Sequence, residues 1–353
     1  MPSRPSSVWT SIAEGSRIDH AIFYCKLSDV SLLETLEFYS EDLRLLRELA
    51  DEVTICTSLR SLVRARPGLL WAWWHSTSLP AIALWRLRRR SVVATGAVDL
   101  TNPVEPSTRH RIKRPLTKAA ARLAHINLAI SDYERSDLER LSPRLIARTL
   151  YPGVDCSYFR PAEPSHTPSV TVVAQVNGPS IHRKGLDRLI ESFVEVRRRI
   201  PEARLVVVGP VKPDGVNWIE SMRQASRLDG VEFAGFVDRE RKRDLVASSW
   251  AYVQPSRYEG FGLAVAEAMA CGVRPIVTDV GSLPEVVGSI GTVCDPNASA
   301  LAESICDALK EKPTPDDQEN VASEALRFTS ASRTERFRRL IADVAAQQRW
   351  IRS

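Results

Sequence analysis

From residue 170 to residue 311, strand signals and helix signals alternate along the chain, and this alternation constrains the fold more than any other feature. The strand signals are short β-branched runs, and the helix signals are longer runs with apolar residues at helical spacing. The strand runs are 170–176, 205–209, 231–236, 252–254, 275–279 and 291–294, and the helical runs are 184–200, 218–228, 239–249, 261–271 and 299–311. Strands and helices that alternate at this spacing form βαβ units, so the pattern predicts an α/β fold with a parallel, doubly wound sheet.

The chain is also long for a single compact core, since 353 residues are expected to divide into two domains. A rougher alternation ends near residue 150, and a proline-rich stretch follows it. The predicted organisation is a Rossmann-like N-terminal domain (1–150), a linker (151–169) and a C-terminal domain (170–330). Residues 331–353 form a predicted helix whose apolar stripe, Phe337, Leu340, Ile341 and Val344, does not by itself indicate the domain on which the helix docks.

Composition indicates an ordinary globular protein, with 44% hydrophobic and 26% charged residues. The six cysteines form no Cys-x-x-Cys pair, which favours reduced thiols in a cytosolic protein, and the first 20 residues lack the apolar core of a secretory signal. The uncharged stretch 67–85 is long enough to span a membrane. Its polar centre, 75–78, favours instead a strand (69–74), a polar loop and a helix entered through Pro80.

Positive charge is concentrated in one segment of the N-terminal half. Residues 55–125 contain thirteen Lys and Arg against Asp99 and Glu105, whereas the whole chain carries a net charge of +5. This asymmetry predicts an anionic partner, which is an anionic lipid, a phosphorylated acceptor or a nucleic acid. A solvated basic face without a partner is the alternative.

Two loops of the C-terminal half have the composition of a ligand site. In an open α/β sheet, ligands bind beyond the carboxyl ends of the strands. The first loop, 177–185, follows the strand at 170–176 and contains glycine, proline, Arg183 and Lys184 ahead of a helix. This composition is typical of a phosphate cradle, although basic surface loops share it.

The second loop follows the strand at 252–254 and enters a helix through Glu259-Gly260-Phe261-Gly262-Leu263. Its glycines let another molecule approach the backbone, and the N–H groups of a first helical turn attract an anion. Eight residues after Glu259, Glu267 interrupts the apolar run of the helix, where a carboxylate without a partner is costly. Either both carboxylates accept hydrogen bonds from sugar or ribose hydroxyls, or Glu259 caps the helix and Glu267 pairs with an arginine; the residues alone favour the two interpretations equally.

Residues 255–288, PSRYEGFGLAVAEAMACGVRPIVTDVGSLPEVVG, resemble the donor-site signature of the family-4 retaining glycosyltransferases, which are group 1 glycosyl transferases with the GT-B fold. The paired glutamates of that signature correspond to Glu259 and Glu267. Other stretches resemble the family in the same order: ISDYERSDLERL (130–141), YPGVDCSYFRP (151–161), RKGLDRLIESF (183–193), LVVVG (205–209) and VEFAGFVDRE (231–240). The resemblance runs from about residue 20 to about residue 310 and is strongest in the second domain.

The resemblance implies a role for each matched residue. Glu267 is expected to bind the ribose hydroxyls of a nucleotide-sugar donor, Glu259 the hydroxyls of the transferred sugar, and Lys184 the diphosphate. The family's second diphosphate-binding residue, an arginine, is replaced by Gly178, so either Arg183 compensates or the donor is held differently. The other expected donor contacts are the backbone of Gly260, Phe261, Gly262 and Leu263 beside the sugar and diphosphate, and the loop of Gly235, Phe236 and Val237 against the base.

The resemblance also implies an architecture and a mechanism. GT-B proteins have two Rossmann-like domains that face a cleft, with the C-terminal helix crossing back to the N-terminal domain. Enzymes of this kind resemble one another in needing no metal, and because this chain contains no Asp-x-Asp, neither a metal nor another cofactor is expected. Positive side chains and helix N-termini would stabilise the leaving diphosphate. The implied reaction is a front-face substitution with retention, in which the leaving phosphate helps to deprotonate the acceptor and no carboxylate acts as nucleophile.

The N-terminal half departs from the family pattern. The loop after its first strand, 24–29, contains no glycine, and the family's histidine after the strand at 92–95 is replaced by Ala97. Asp99, as a catalytic residue, and His75, as an acceptor-binding residue, are the candidates to line the cleft instead. A strand-end aspartate is otherwise a turn or cap residue, and a lone histidine is otherwise a structural one.

The predicted function is the transfer of a hexose from a UDP- or GDP-sugar to a hydroxyl of a saccharide or lipid-linked glycan. The protein is expected in the cytoplasm, with its basic segment on the anionic inner face of the cytoplasmic membrane and with no nucleic-acid partner. Candidate interfacial anchors are Trp71, Trp73, Trp74 and Trp85, for which core packing is the alternative. The alternative function is a catalytically inactive GT-B-like protein that binds partners through its basic N-terminal surface.

Overall fold

The computed structural model describes residues 8–27, 29–96, 108–142 and 145–350, which divide into two compact units. The first unit contains the chain up to Gly153 and again from Ser330, and the second unit runs from Val154 to Thr329. The stretch 151–169, expected as a linker, is therefore divided between the two units. Within the second unit, Val154 pairs with Thr329 in a parallel bridge and Phe159 is buried.

The first unit contains a parallel six-stranded sheet with the strand order β2-β1-β3-β4-β5-β6. Its strands are β1 (Ile18–Tyr24), β2 (Ala50–Cys56), β3 (Leu69–Trp73), β4 (Val92–Thr95), β5 (Ile126–Ala129) and β6 (Ala147–Thr149). The helices up to β6 are α1 (Val8–Ala13), α2 (Leu32–Thr35), α3 (Glu37–Leu49), α4 (Leu59–Arg64), α5 (His75–Leu87), α6 (Thr108–Leu123) and α7 (Asp132–Leu141). Every residue of β3, β4 and β5 is buried, which is typical of a parallel sheet covered on both faces.

Helix α5 corrects the prediction for the uncharged stretch. The helix begins at His75, directly after β3, so the polar loop predicted ahead of Pro80 is wrong. Three of its first four residues, His75, Ser76 and Ser78, are buried inside the unit, and the Ser78 hydroxyl donates to the carbonyl of Trp73 at the end of the strand. In the described part of the chain, no helix combines the length and the apolar character needed to cross a membrane.

The second unit contains another parallel six-stranded sheet, with the order β12-β11-β10-β7-β8-β9. Its strands are β7 (Ser169–Val173), β8 (Arg204–Val208), β9 (Val231–Gly235), β10 (Ala251–Gln254), β11 (Arg274–Thr278) and β12 (Thr292–Cys294). Its helices are α8 (Gly178–Lys184), α9 (Leu186–Arg199), α10 (Pro213–Gln224), α11 (Arg239–Ala247), α12 (Leu263–Ala270), α13 (Leu283–Val287), α14 (Ala298–Ala308) and α15 (Pro315–Ala325), followed by a 3₁₀ turn (Leu326–Phe328). The α/β alternation predicted from residue 170 onward is confirmed.

The predicted phosphate-cradle loop is largely helical. Residues Gly178–Lys184 form α8, which Asn177 caps by accepting a hydrogen bond from the N–H of Ser180 at 2.8 Å. The helix ends at Gly185, whose φ of +71° lies in the left-handed region. A Cβ atom at this position would lie 1.9 Å from the carbonyl oxygen of Pro255, so the close packing of these two segments requires glycine.

The C-terminal helix, α16 (Ser330–Trp350), returns to the first unit, as the resemblance implies, and packs against α1 and α3. Its apolar stripe enters the core, where Phe337, Ile341 and Val344 are fully buried. Arg333 donates to one carboxylate oxygen of Asp42 on α3, and the other oxygen accepts the indole N–H of Trp71 at 2.8 Å.

Candidate functional site

The two ligand-site segments identified in the sequence lie side by side at the carboxyl edge of the second sheet. Strands β7 and β10 are neighbours there, at the point where the strand order reverses, which is where open α/β sheets bind ligands. Gly185 packs on the carbonyl of Pro255, and the N–H of Arg257 donates to the carbonyl oxygen of Arg183 at 2.8 Å. These contacts bring the end of α8 beside the loop that follows β10.

Lys184 and Glu259 form an ion pair across these two segments. The Lys184 Nζ lies 2.6 Å from Glu259 Oε2, and the two side chains are only 17% and 13% exposed. Burial by itself would raise the pKa of Glu259, but the charges of Lys184 and Arg183 and the hydrogen bonds from Lys184 and Ser256 hold that pKa below its usual value. Glu259 is therefore an ionised, hydrogen-bond-accepting group beside a cation.

A chain of buried polar groups orients Glu259 from behind. The N–H of Val173 donates to the Tyr252 hydroxyl, which donates to Gln254 Oε1 at 2.8 Å. The Gln254 amide donates to the Ser256 hydroxyl at 2.8 Å, and that hydroxyl donates to Glu259 Oε2 at 3.3 Å. The role of these residues was not predicted from the sequence, although the polar Gln254 and Ser256 at the end of a buried strand were a signal for it.

The loop between Glu259 and α12 is held by the segment before α13. A Cβ atom on Gly281 would lie 2.3 Å from the Glu259 carbonyl oxygen, and the Ser282 hydroxyl donates to the carbonyl of Phe261 at 2.9 Å. The Phe261 ring is buried, so the predicted donor contact at this residue involves its backbone. Gly262, with φ of +94°, precedes the first residue of α12, Leu263, and has no side chain with which to cap the first-turn N–H groups. Gly260 lies in the same loop.

Glu267 lies inside α12 and is paired with a lysine. The Lys242 Nζ on α11 is 3.0 Å from Oε1 and 3.1 Å from Oε2, and the Glu267 side chain is 7% exposed. The alternative interpretation expected an arginine partner, whereas the structure assigns a lysine 25 residues earlier in the chain. Sequence analysis missed Lys242, because it lies in a run of charged residues, 238–244, that does not distinguish it from its neighbours.

The loop predicted to contact the base follows β9 at the same edge of the sheet. Gly235 has φ of +71°, and no atom lies within 4 Å of a Cβ built on it. Phe236 is 82% exposed, which is unusual for a large aromatic side chain, and Val237 follows it. The structure therefore offers an exposed ring at the place where a planar base is expected.

The position of the family's missing arginine is occupied by backbone. The N–H of Gly178 donates to Asp214 Oδ2 at 2.7 Å at the start of α8. Arg183, the expected substitute, forms no hydrogen bond or ion pair through its side chain in the described part of the chain. No group of three or more His, Cys, Asp or Glu side chains that could hold a metal ion occurs among the described residues.

The two N-terminal candidates have different outcomes. His75 is fully buried, with Nε2 2.9 Å from Oδ1 of Asn127, so its place in the core indicates a structural role rather than the predicted acceptor contact. Asp99 lies outside the described residues, as does Ala97. The tryptophans expected as interfacial anchors are core residues at three of four positions, since Trp71, Trp73 and Trp85 are at most 5% exposed and only Trp74 is partly exposed.

A family model matches most of the second unit. Residues 171–325 match the family model described as "Glycosyl transferases group 1". The chain is similar to this family over that range. The matched range contains Lys184, Lys242, Glu259 and Glu267, so both ion pairs lie inside it.

Known proteins similar to this chain include two curated relatives. It is 32% identical to the O-antigen chain mannosyltransferase B of Escherichia coli over 53% of its length and 52% of the relative. It is 33% identical to the D-inositol 3-phosphate glycosyltransferase 2 of Catenulispora acidiphila over 72% of its length and 64% of the relative. The chain thus spans between half and two thirds of the length of these relatives.

A solved structure extends the likeness to nearly the whole fold. HepE from Anabaena, crystallised in complex with UDP, superposes with a TM-score of 0.70 at 16% identity, over 92% of this chain and all of that one. At this identity the likeness concerns the fold. Together with the two parallel six-stranded sheets, it confirms the predicted GT-B class for this chain.

Proposed function

We propose that this chain is a group 1 glycosyl transferase, a retaining, metal-independent enzyme of family 4 that transfers a hexose from a UDP- or GDP-sugar to a hydroxyl of a saccharide or a lipid-linked glycan. The observation that carries the proposal is the Lys184–Glu259 ion pair beside the N-terminus of α12. This arrangement places a cation, uncapped N–H groups and an ionised carboxylate at one strand edge. A sugar diphosphate needs all three, since its phosphates are anionic and its sugar presents hydroxyls.

The donor is expected to bind in an order set by these groups. The diphosphate lies between Lys184 and the first turn of α12, where the helix dipole favours negative charge. The Lys184 ammonium has three hydrogens, so it can bond Glu259 and a phosphate oxygen together. Glu259 accepts hydrogen bonds from the sugar hydroxyls, Glu267 from the ribose, and the exposed Phe236 ring stacks on the base.

Catalysis in this proposal depends on stabilising the leaving diphosphate. As the bond between the anomeric carbon and the phosphate oxygen breaks, negative charge grows on that oxygen, and Lys184, Arg183 and the α12 N–H groups stabilise it. The acceptor oxygen attacks from the same face and transfers its proton to the departing phosphate. Glu259 is an unsuitable nucleophile, because Lys184 and Ser256 bond its Oε2 in the ground state.

The direct test is nucleotide binding followed by transfer. Millimolar UDP or GDP is expected to raise the melting temperature, because a ligand that binds only the folded state stabilises it by mass action. ADP and TDP serve as comparison nucleotides. Incubation of the responding nucleotide's sugars with a saccharide acceptor is then expected to give a product whose anomeric configuration, measured by NMR, matches that of the donor. Absence of any thermal shift with all four nucleotides would overturn the proposal.

The basic segment supports a proposed contact with an anionic membrane that carries a lipid-linked acceptor. Helix α5 ends at Leu87, whose side chain is 82% exposed, and the consecutive arginines Arg88, Arg89 and Arg90 follow it. An exposed apolar side chain among cations is the composition that binds the surface of an anionic bilayer. Sedimentation with vesicles of phosphatidylglycerol is expected to exceed sedimentation with phosphatidylcholine and to fall with added salt.

The rival function, an inactive binding protein, is favoured by one observation. Gly178 presents only backbone where the family has an arginine, so the diphosphate has one cation fewer. Glu267→Ala distinguishes the two functions: it is expected to abolish nucleotide binding if the chain is an enzyme. Under the rival function, the same variant would retain its binding to partners, and no nucleotide response would exist to lose.

A further inference from the structure

The contact between Lys242 and Glu267 extends the proposed donor site to a residue that the family resemblance does not assign. Glu267 is nearly enclosed in α12, and the Lys242 ammonium lies at almost equal distances, 3.0 and 3.1 Å, from its two oxygens. A single ammonium centred on a carboxylate keeps that carboxylate ionised in spite of burial. The Lys242 ammonium also lies next to the two Glu267 oxygens to which the ribose hydroxyls are expected to donate.

Aromatic side chains of the same unit hold Lys242 in place. The Lys242 Nζ lies 5.1 Å from the centroid of the Phe159 ring, which is 2% exposed. On the same helix, the Arg239 guanidinium stacks 4.1 Å over the ring of Tyr158, which anchors the first turn of α11. Lys242 lies on α11, the helix that follows the loop of the exposed Phe236 along the chain, and it contacts the Glu267 carboxylate on α12.

We propose that Lys242 and Glu267 act as a pair that binds the vicinal diol of the donor's ribose, an inference that rests on the proposed function. Each ribose hydroxyl has one hydrogen to donate and an oxygen that accepts. Glu267 accepts those hydrogens, and Lys242 donates to the hydroxyl oxygens in exchange for one of its two bonds to Glu267. The pair then distinguishes a ribonucleoside diphosphate from its 2′-deoxy analogue by two hydrogen bonds rather than one.

The charged and titratable groups around Glu267 make the pair testable by pH. They are Lys242 on α11, Tyr252 on β10 and Cys271 at the end of α12, with Arg243 beside Cys271. Burial, with the negative charge of Glu267, raises the pKa of Cys271 to about 12, and burial also raises that of Tyr252, so both groups stay neutral between pH 5.5 and about 8.5. Without the positive charge of Lys242, the buried Glu267 is expected to bind a proton more readily as pH falls.

Calorimetric titration with UDP and GDP, and with their 2′-deoxy analogues, tests the proposal in four full-length proteins: the wild type, Lys242→Met, Lys242→Arg and Arg241→Met. Lys242→Met is expected to weaken ribonucleotide binding about 10- to 100-fold and to shrink the preference for ribose over deoxyribose. Lys242→Arg keeps the positive charge beside Glu267 but directs its guanidinium fork at the carboxylate, so it is expected to restore part of the affinity without the preference for ribose. Arg241→Met removes an exposed charge from the same helix and is expected to change affinity less than about twofold.

The pH series compares the ratio of wild-type to Lys242→Met affinity, because the nucleotide phosphates titrate in the same range and their effect cancels in the ratio. This ratio is expected to grow as pH falls from 8.5 to about 5.5, since the variant protonates Glu267 more readily than the wild type does. In steady-state kinetics, the variant is expected to raise the KM for the donor with kcat nearly unchanged, because the ribose contact is the same in the ground state and the transition state.

Each outcome separates this inference from the proposed function. If the wild type binds none of the nucleotides, the proposed function fails. If the wild type binds and Lys242→Met binds equally well, with the same preference for ribose, the Lys242 inference alone fails, even if the variant melts at a lower temperature. A constant affinity ratio across the pH series would also overturn the role of Lys242 in keeping Glu267 ionised.

Discussion

At the residue scale, both carboxylates of the candidate site are paired with lysines rather than arginines. Lys184 and Lys242 each present a compact ammonium with three hydrogens, which can bond a carboxylate and a ligand oxygen at once. An arginine that forms a bidentate pair with the carboxylate would direct the N–H groups of that fork at the carboxylate and not at a ligand. A lysine pair thus keeps a buried carboxylate ionised and still leaves it available to a ligand, which suits a binding site better than a structural core.

Replacing Lys184 is the first prediction at this scale. Lys184→Met is expected to lower kcat/KM for the donor by about 10²- to 10³-fold, because it removes one preorganised positive charge from the developing phosphate oxyanion. Steady-state kinetics with the responding nucleotide sugar measures the loss. The matched control is Lys310→Met, which removes a lysine whose ion pair with Asp307 is exposed and is expected to change kcat/KM less than about twofold. Equal losses in the two variants would contradict the role of Lys184.

The lowered pKa of Glu259 leads to a prediction about stability and pH. Because its folded-state pKa lies below the ordinary value of 4.5, the ionised group contributes stability above that value and loses it as pH falls through the folded pKa. Glu259→Gln is expected to reduce the free energy of unfolding by about 1–3 kcal/mol at pH 7, since Lys184 loses its charged partner. Urea denaturation at pH 7 and at pH about 3.5 is expected to show a smaller difference from wild type at the lower pH. A difference that grows on acidification would contradict the assignment.

At the element scale, the sequence predicted the alternation of strands and helices because that pattern is written in local periodicity. It also predicted that Lys184 and Glu259 lie in loops at the carboxyl ends of strands, which share one edge in a parallel sheet. That their two strands are neighbours was not predicted. The partner of Glu267 could not be predicted, because the geometry that selects Lys242 from a charged run depends on how α11 packs beside α12. Helix α8 was missed because its Gly-Pro start is typical of loops, although Pro is also favoured in the first turn of a helix.

Gly185 provides a prediction at this scale. Gly185→Ala is expected to destabilise the protein by about 2–4 kcal/mol, because the left-handed φ and the contact of its Cβ with the Pro255 carbonyl act together. Gly235→Ala is the matched control: it has the same φ of +71°, but nothing lies within 4 Å of its Cβ, so only the backbone strain of about 1 kcal/mol is expected. Differential scanning calorimetry compares the two variants. Equal destabilisation would show that the contact between the two segments contributes nothing.

At the scale of the whole molecule, the chain leaves the first unit at Gly153 and re-enters it at Ser330. The second unit is therefore inserted between two segments that must find each other across 176 residues. The contact between α16 and α3 is polar as well as apolar. Three side chains of α16 donate hydrogen bonds to carboxylates of α3: Ser330 to Glu41, Arg333 to Asp42 and Thr334 to Glu48. The periodicity of the helix predicted its apolar stripe, whereas the partner surface is set by tertiary packing.

The Arg333–Asp42 ion pair gives a prediction that tests the contact between α16 and α3. Burial raises the pKa of Asp42, and Arg333 and the Trp71 indole oppose that rise. Arg333→Met is expected to destabilise the first unit by about 3–5 kcal/mol at neutral pH, because it leaves an unpaired buried carboxylate. Without Arg333, the pKa of Asp42 in the folded state rises further. The free-energy cost of burying the ionised carboxylate is therefore absent at pH values below the pKa of Asp42 in the unfolded chain, about 4. The cost grows as the pH rises from there toward the pKa of Asp42 in the folded state.

Tryptophan fluorescence during urea denaturation reports on this unit, since six of the eight tryptophans belong to it. The gap between wild type and Arg333→Met is expected to narrow as pH falls from 7 to about 4.5, because a protonated Asp42 is less costly to bury. Arg339→Met, on the exposed face of the same helix, is expected to cost less than about 0.5 kcal/mol at either pH. If the gap were the same at both pH values, the loss would come from the altered packing of α16 against α3 and not from the charge on Asp42.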